Sequence, residues 1–323
     1  MNRKTIIFLL YCLFIGIFIS FCFINKKLNN IKTLESAFKI NKDINTLIVG
    51  DSHPMTSLDP EIIEHSKNVS FDSENYFFTY YKLKYLLLFN SHIKVVILGF
   101  TPENISKINV EMFLLHEPKE KQLLDRYYKI LDDEGKNKIK SFRKYFILYF
   151  LKNDLGIPIG IYENDVLIKT LLNMQIEESD YNMIGGFYNS DNSNVNIQDI
   201  RQKIKEYFYN DNGIYPGKSV FNIEYLYKIM DLCSRKGIKV YLYRSNVFPM
   251  YKQLIPKESI NDYEQVKQDI LQKFTNAKYI HFSNLNNIDK IYFGDGDHLN
   301  RLGAKVVSNL MNDVIKESNN MKF

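Results

Sequence analysis

Short apolar runs alternate along the chain with longer segments in which apolar residues recur at helical spacing. The strand-like runs cover residues 46–49, 94–100, 238–243 and 279–282. The helix-like segments cover residues 76–89, 223–233, 261–274 and 306–314. Parallel strands that are buried on both faces form continuous apolar runs in the sequence, and helices alternate with them. The pattern therefore predicts an α/β fold with a parallel sheet covered by helices on both sides.

The stretch between the second and third strand-like runs, residues 106–218, does not keep this alternation. It is rich in Lys, Glu, Asp, Asn and Tyr, with helical patches at 123–140 and 142–151 and a loop-like segment that begins at Gly185. We predict a largely helical insertion within one domain that covers residues 46–323. Such an insertion either covers the active site or binds a partner, or it is a structural decoration.

The N-terminal residues 5–24 form an apolar run without any charged residue. At about 1.5 Å of rise per residue, a helix of roughly 20 residues crosses a hydrocarbon core of about 30 Å. We predict a membrane anchor over residues 1–27, followed by a stalk over residues 28–45. A cleaved secretory signal is the alternative, but the run is long for one and no small-x-small cleavage site follows it. Basic residues flank the run on both sides, so their charge hardly sets its orientation.

The charge and the cysteines limit the classes of partner. The formal net charge is +5, but Arg3, Lys4, Lys26 and Lys27 flank the apolar run, and the remaining basic and acidic residues nearly balance. The charge excess therefore belongs to the N-terminus, and we expect no nucleic-acid partner. Outside the apolar run Cys233 stands alone, so no disulfide framework or CxxC metal pair is expected there.

Two short blocks at opposite ends of the predicted sheet carry residues suited to nucleophilic catalysis. Gly50-Asp51-Ser52-His53 follows the first strand, and Asp295-Gly296-Asp297-His298 precedes the last helix. A serine hydroxyl is a weak nucleophile until an imidazole accepts its proton, and a carboxylate must fix the imidazole tautomer. Asp295 and His298 are close enough in sequence for one turn to bring them together. A doubly wound sheet can bring Ser52 to the same carboxyl edge.

These two blocks, with Leu299-Asn300 and Gly303-Ala304 after the histidine, resemble the SGNH, or GDSL-like, hydrolase superfamily. The resemblance implies a flavodoxin-like three-layer αβα fold and ester or acyl-transfer chemistry. It also implies Ser52 as the nucleophile, His298 as the base and Asp295 as the carboxylate that orients the base. It leaves the insertion unexplained and covers two parts of the chain, residues 46–105 and 219–317.

The resemblance further implies an oxyanion hole with three donors. These are the backbone N–H of Ser52, the backbone N–H of Ser73 in place of a glycine, and the side chain of Asn104. The block that carries the third donor reads Gly99-Phe-Thr-Pro-Glu-Asn104, so Thr101 stands where the family has asparagine. Losing one such donor typically costs about 100-fold or more in rate. An enzyme with this sequence therefore needs Asn104 as the replacement.

Residues near the two blocks have further expected roles. Asp51 and His53 flank the nucleophile and are expected to line the substrate pocket. His116 and the glutamates beside it could form a metal site if they lay on one helix, but Pro118 would interrupt such a helix. We therefore expect neither a metal nor another cofactor. The purely structural alternative treats the first block as an ordinary turn and Asn300 as a helix cap.

The anchor and the resemblance together suggest a function at the cell surface. A membrane-tethered domain of this type resembles bacterial proteins that place an acyl group on an exported glycan. We expect an extracytoplasmic, single-pass protein of the cytoplasmic membrane, an O-acyltransferase or O-acylesterase that acts on a surface polysaccharide through an acyl-serine intermediate. Its partners would be the glycan, an acyl donor and a membrane-bound acyltransferase. Two alternatives stay open: a catalytically inactive SGNH-fold binding subunit, and an anchored lipid or peptidoglycan deacylase.

Overall fold

A computed structural model of the chain gives the fold. The structure describes residues 5–7, 11, 13, 14, 17, 35–109, 123, 124, 126–141, 184–189, 191, 193–285 and 288–320. The chain divides into two compact units, Met1–Ile40 and Asn41–Phe323. All the strands, and the helices that surround them, belong to the second unit.

In the first unit, the described residues 5–7, 11, 13, 14, 17 and 35–38 are helical. The other positions of the predicted anchor, and residues 28–34 of the predicted stalk, lie outside the described residues. Within the described part of the chain, no helix is both long and apolar enough to cross a membrane. The anchor over residues 1–27 therefore stays a prediction from the sequence.

Five parallel strands form one sheet in the order β2-β1-β3-β4-β5. They are β1 (Thr46–Val49), β2 (Ser66–Asn68), β3 (Val95–Gly99), β4 (Lys239–Tyr243) and β5 (Ala277–Ile280). The prediction of a parallel α/β sheet is confirmed. The sequence does not predict β2, because Ser-Lys-Asn carries no apolar signal. Parallel pairing of Ser66 with Thr46 and of Asn68 with Ile48 in β1 creates this strand.

Helices connect and follow the strands. They are α1 (Ser52–Ser57), α2 (Tyr76–Phe89), α3 (Pro102–Ile105), α4 (Asp133–Ser141), α5 (Ile197–Phe208), α6 (Val220–Arg235), α7 (Pro249–Leu254), α8 (Lys257–Lys273) and α9 (Arg301–Asn320). The bounds of α2 coincide with the predicted segment 76–89. Helix α8 begins before the predicted start at 261, because its first residues are polar and apolar spacing begins only at Ile260.

Both faces of the sheet are buried. On one face, Ile48, Ile97 and Tyr241 pack in one cluster with Val307 and Met311 of α9. The alternate residues of the same strands point to the other face and are also fully buried, among them Leu47, Val96, Leu98, Val240 and Leu242. A sheet covered on both faces leaves its carboxyl edge as the natural place for a ligand crevice.

Parts of the predicted insertion pack into the second unit. Helix α5 buries Ile200, Ile204 and Phe208 in a cluster with Tyr251 of α7 and Ile255. The predicted patch 123–140 contains helical positions, a 3₁₀ turn at Tyr128–Ile130 and α4, whereas the patch 142–151 lies outside the described residues. Because α5 is held by its apolar face, its polar face can present side chains at a fixed position.

Candidate active site

The turn after β1 places the first block at the carboxyl edge of the sheet. Gly50 has a φ of +135°, a conformation that side-chain-bearing residues rarely adopt. A Cβ atom on Gly99, at the end of β3, would lie 2.8 Å from Cγ of Pro54. Glycine is therefore needed at both strand ends to bring the start of α1 against the sheet. Asp51 caps α1 by accepting a hydrogen bond from the His53 N–H at 3.0 Å, so Ser52 is the first residue of the helix.

The structure brings the three predicted catalytic side chains into one hydrogen-bonded chain. Nε2 of His298 lies 2.8 Å from Oγ of Ser52, and Nδ1 lies 3.1 Å from both carboxylate oxygens of Asp295. The backbone N–H of His298 also donates to Asp295 Oδ1 at 2.9 Å. With Nδ1–H donated to the carboxylate, Nε2 is left to accept the serine proton.

Asn300 acts as the helix cap that the structural alternative expects. Its Oδ1 accepts a hydrogen bond from the Gly303 N–H at 3.1 Å, and its Nδ2 donates to the Ile291 carbonyl at 2.6 Å. The cap fixes the loop that carries His298 at the start of α9. Capping and the contact between His298 and Ser52 therefore occur together.

Two further charged residues belong to the site, and the sequence reasoning did not select either of them. Lys203 of α5 donates a hydrogen bond to Asp295 Oδ2 at 2.9 Å and a second one to Asp297. Asp297 Oδ1 lies 3.5 Å from Nδ1 of His298. Asp297 stands inside the second sequence block and could have been selected there. Lys203 lies in the insertion with no local signal, so only the packing of α5 identifies it.

These charges set the protonation states of the catalytic pair. Burial lowers the pKa of His298, but the charge of Asp297 and the hydrogen bond to Asp295 outweigh burial and raise the pKa above its ordinary value. Burial raises the pKa of Asp295, but the hydrogen bond from His298 and the charge of Lys203 lower it overall. Asp295 is therefore an ionised acceptor at neutral pH, and His298 is a stronger base than a solvated histidine.

His53 forms a buried ion pair with Asp51, next to the hydrogen-bonded series of Ser52, His298 and Asp295. Its Nδ1 lies 3.3 Å from Asp51 Oδ2, and its ring centroid lies 5.2 Å from that of His298. Burial lowers the pKa of His53, but the Asp51 carboxylate raises it overall to about 10. His53 is thus an imidazolium, and its buried Nε2 has no hydrogen-bond partner among the described residues. The two residues line the smaller cavity beside Ser52, and their expected contact with the substrate stays a prediction.

Three side chains of the site could also offer atoms to a metal. His53, Asp297 and His298 each offer one ligand atom, and these atoms lie within 4.8 Å of one another. His298 is already bonded to Ser52 and Asp295, and a protonated His53 cannot ligate through Nε2. The arrangement fits a network of charges, and the absence of a metal stays a prediction.

Two of the predicted oxyanion donors are backbone N–H groups at the edge of the smaller cavity. Within the described residues, the N–H groups of Ser52 and Ser73 donate to no protein acceptor. Ser73 has a φ of +62° in a turn closed by the Glu74 N–H and the Phe71 carbonyl at 3.2 Å. Type II turns require a positive φ at this third position, where glycine is favoured. Serine adopts it at a cost of about 1–2 kcal/mol.

Asn104, not Thr101, lines the smaller cavity. Its Nδ2 donates to Asp51 Oδ2 at 2.7 Å, and its Oδ1 accepts from the backbone N–H of Thr101 at 3.1 Å. An amide nitrogen carries two hydrogens, so one remains for a ligand. Thr101 instead occupies the N-cap position of α3. The arrangement suits the predicted role of Asn104, and that role stays a prediction.

Two cavities meet at Ser52 and His298, which line both of them. The smaller encloses about 50 Å³, and its lining includes the polar residues Ser73, Glu103, Asn104 and Asn109. The larger opens to about 680 Å³. Its lining includes Phe71, Arg126, Phe187, Tyr188 and Asn189. Ser52 therefore faces a narrow cavity on one side and a wide cavity on the other.

The insertion supplies one wall of the larger cavity. The Gly186 N–H donates to the Ser70 carbonyl at 3.0 Å, and the Tyr188 N–H donates to the Met55 carbonyl at 3.2 Å. The guanidinium of Arg126 lies 3.5 Å from the ring centroid of Phe71, at a stacking distance. Backbone hydrogen bonds thus fix the segment that begins at Gly185 close to Ser52.

The chain matches no protein-family model, and no curated protein matches it. Its chemistry has to be inferred from the site itself. A nucleophile, a base, a carboxylate and two backbone N–H groups without an acceptor among the described residues line the two cavities that meet at Ser52. This is the set of groups that acyl transfer requires.

Proposed function

We propose that this protein is an SGNH-type serine enzyme that transfers or hydrolyses an O-linked acyl group on a surface polysaccharide. The observation that carries the proposal is the hydrogen-bonded chain from Ser52 through His298 to Asp295, between two cavities. The strand order 2-1-3-4-5 supports the flavodoxin-like arrangement that this family implies. Chance assembly of three such side chains from opposite ends of a chain is improbable without selection for chemistry.

The proposed reaction proceeds in two steps. Oγ of Ser52 attacks the ester carbon of the donor while Nε2 of His298 accepts the serine proton. The backbone N–H groups of Ser52 and Ser73, with the free Nδ2 hydrogen of Asn104, stabilise the oxyanion. His298 then protonates the leaving alcohol, and an acyl-serine remains. A glycan hydroxyl or a water molecule attacks the acyl-serine with His298 again acting as the base.

The larger cavity supports a polysaccharide as the leaving group or acceptor. Its lining includes the aromatic side chains of Phe71, Phe187 and Tyr188, together with the polar groups of Arg126 and Asn189. Aromatic faces combined with fixed hydrogen-bonding groups are suited to a sugar ring. The apolar run at residues 5–24 supports a location at a membrane, where an acyl donor and a growing glycan are both close. A membrane-bound acyltransferase would be the partner that supplies the acyl group.

The test uses the purified full-length protein with p-nitrophenyl acetate and a fluorophosphonate probe. The wild type should release p-nitrophenol and become labelled, and Ser52→Ala should lose both properties. Ser193→Ala, which removes a surface hydroxyl, serves as the matched control. Turnover and labelling that persist in folded Ser52→Ala would reject Ser52 as the nucleophile. A folded wild type that neither reacts nor labels would favour the inactive binding subunit.

Transfer and hydrolysis are separated in the same assay by adding a soluble oligosaccharide acceptor. Acylated oligosaccharide formed at the expense of free acid supports a transferase, because the acceptor then competes with water for the acyl-serine. Free acid alone supports an esterase. Release of fatty acid from a phospholipid or acetate from peptidoglycan, in preference to the polysaccharide, would instead support the anchored deacylase.

A further inference from the structure

The turn that carries Ser73 is contacted by the insertion on both sides. Before the turn, the Gly186 N–H donates to the Ser70 carbonyl at 3.0 Å. After Ser73, the hydroxyl of Tyr127 donates to the carboxylate of Glu74, and the Tyr127 side chain is fully buried. Two separate segments of the insertion therefore reach the residues that flank one of the predicted oxyanion donors.

The conformation of Ser73 needs such support. Its φ of +62° lies in the left-handed region, which residues with a Cβ atom avoid. A backbone conformation of this kind persists only where the surrounding structure holds it. Because relaxation to a negative φ would turn the Ser73 N–H away from its present direction, the contacts of the turn determine where this donor points.

The Glu74 side chain, directly after Ser73, is the point at which the turn is held. Thr79 Oγ1 donates to Glu74 Oε1 at 2.7 Å, and Lys82 Nζ lies 2.6 Å from Glu74 Oε2. Both donors belong to α2, which begins two residues after Glu74. The third donor, Tyr127, is contributed by the insertion. Tyr127 therefore ties the end of the turn to a part of the chain that is distant in the sequence.

The surroundings of Tyr127 fix its ring and keep its hydroxyl proton. Burial raises the pKa of Tyr127, and the charge of Glu74 raises it further, so the hydroxyl stays a donor at neutral pH. The ring stacks on Phe78 with 5.5 Å between the centroids. The neighbouring Arg126 stacks on Phe71, the first residue of the turn, at 3.5 Å. Two consecutive residues of the insertion thus contact both ends of the turn.

We propose that Tyr127 is a positioning residue for the oxyanion hole, which holds Glu74 and thereby keeps the Ser73 N–H directed at the developing oxyanion. This inference rests on the proposed acyl-transfer function and gives part of the insertion a role in it. Glu74 and Ser73 line the smaller cavity together with Ser52, whereas Tyr127 lines neither cavity. Tyr127 therefore acts through Glu74 and not by touching the substrate.

The test measures p-nitrophenyl acetate hydrolysis by the full-length protein. Tyr127→Phe removes only the hydroxyl and leaves Glu74 paired with Lys82. It should lower kcat about 10-fold, a part of the loss that a missing oxyanion donor causes. KM should stay within about 2-fold of the wild type, because the donor acts on the transition state. The matched control is Tyr81→Phe, which removes a hydrogen bond of 3.0 Å from α2 to Asp132 of the insertion and should leave kcat unchanged.

Inhibition by methylboronic acid separates positioning from a loss of folded protein. Ser52 Oγ adds to boron while the serine proton passes to His298, and the resulting tetrahedral anion places an oxygen in the oxyanion hole. The inhibition constant does not depend on the fraction of enzyme that is folded. It should rise about 10-fold in Tyr127→Phe, in parallel with the fall in kcat, and stay unchanged in Tyr81→Phe.

A double-mutant cycle with Ser73→Gly tests the strained conformation itself. Glycine adopts a positive φ without the steric cost that serine has. In the Ser73→Gly background the hydroxyl of Tyr127 is no longer needed to hold this φ. The effect of Tyr127→Phe on kcat should therefore shrink from about 10-fold to less than about 3-fold.

The outcomes separate this inference from the proposed function. If turnover depends on Ser52 while Tyr127→Phe and Tyr81→Phe have equal kcat values and inhibition constants, the positioning role is overturned and acyl transfer stands. A rise in KM without a fall in kcat, or an effect of Tyr127→Phe that is undiminished in the Ser73→Gly background, would also overturn it. Without any Ser52-dependent turnover, both proposals fail together.

A second variant covers the case in which Tyr127→Phe does not fold. Thr79→Val removes a different hydrogen bond to the Glu74 carboxylate and keeps the shape of the side chain. If Glu74 transmits the position of Tyr127 to Ser73, Thr79→Val should lower kcat and raise the inhibition constant for methylboronic acid in the same proportion. Wild-type values of both quantities in Thr79→Val would overturn the inference.

Discussion

Oγ of Ser52 lies 2.8 Å from Nε2 of His298, although 246 positions separate the two residues along the chain. The first residue of α1 and the loop before α9 meet at the carboxyl edge of the sheet, and each is fixed by its own cap, Asp51 or Asn300. The contact therefore does not depend on one flexible loop. It makes His298 the group whose protonation should control the reaction.

The pH dependence of ester hydrolysis should report His298. The residue must be neutral to accept the serine proton, and its pKa is raised above the ordinary 6.5 by Asp297 and Asp295, against the effect of burial. We expect kcat/KM to fall as the pH decreases, with a midpoint above pH 6.5. Asp297→Asn removes the charge that contributes most to the raised pKa, so the midpoint should move to lower pH. A profile of the wild type centred below 6.5, or an unmoved midpoint in the variant, would contradict this reading.

Lys203 should shift the same profile in the opposite direction. Its ammonium group donates to Asp295 and Asp297, so Lys203→Met leaves both carboxylates without a cation and should raise the pKa of His298. We expect the acidic midpoint to move to higher pH and kcat/KM on the plateau to fall about 10-fold, in line with one lost charge-assisted hydrogen bond. Lys203→Arg keeps a cation at this position, so its acidic midpoint should lie close to that of the wild type. A loss of rate with no movement of the midpoint in Lys203→Met would indicate a purely structural role.

Gly185 should be the residue that holds the insertion segment against the sheet. It has a φ of +95°, and a Cβ atom there would lie 2.3 Å from the Ser70 carbonyl oxygen. Gly213 has a φ of +71° with nothing within 4 Å of the added atom, so it provides a matched control for backbone strain alone. Gly185→Ala should lower the free energy of unfolding by about 1–3 kcal/mol more than Gly213→Ala. Urea unfolding of the two variants measures the difference. Equal losses of unfolding free energy would show that the added Cβ atom at position 185 does not clash with Ser70.

The displaced segment should also affect substrate binding. Phe187, Tyr188 and Asn189 line the larger cavity and follow Gly185 after one further glycine. We expect Gly185→Ala to raise KM for an oligosaccharide ester more than KM for p-nitrophenyl acetate. Equal changes for both substrates would show that this wall does not contact the larger group.

The buried pair of Lys82 and Glu74 should be a major contribution to stability next to the Ser73 turn. Both side chains are fully buried, and their charged atoms lie 2.6 Å apart. Lys82→Met leaves the Glu74 charge unpaired and should cost about 3–5 kcal/mol of unfolding free energy. The double variant Lys82→Met with Glu74→Gln should cost less, because a neutral amide keeps hydrogen bonds with Thr79 and Tyr127 without a buried charge. Denaturant unfolding of both variants measures these losses. A larger loss of unfolding free energy in the double variant than in Lys82→Met would contradict the prediction.

Local patterns in the sequence account for most of the fold. The strands β1, β3 and β4 and the helix α2 lie on apolar runs or helical spacings that each element carries by itself. The strand β2 escapes prediction because Ser66-Lys67-Asn68 is polar, and only pairing with β1 makes it a strand. A short strand whose side chains are polar has no periodicity to detect.

The sequence by itself determined the parallel α/β pattern and the two blocks that hold Ser52 and His298, because both are encoded in neighbouring residues. Asp295 could be assigned to His298 for the same reason, since three positions of chain suffice for their contact. Tertiary structure alone decided that Lys203 bonds to Asp295 and that the segment after Gly185 forms a wall of the larger cavity. Each of these depends on how elements that are distant in the sequence pack together. Such packing produces no local sequence pattern from which it could be predicted.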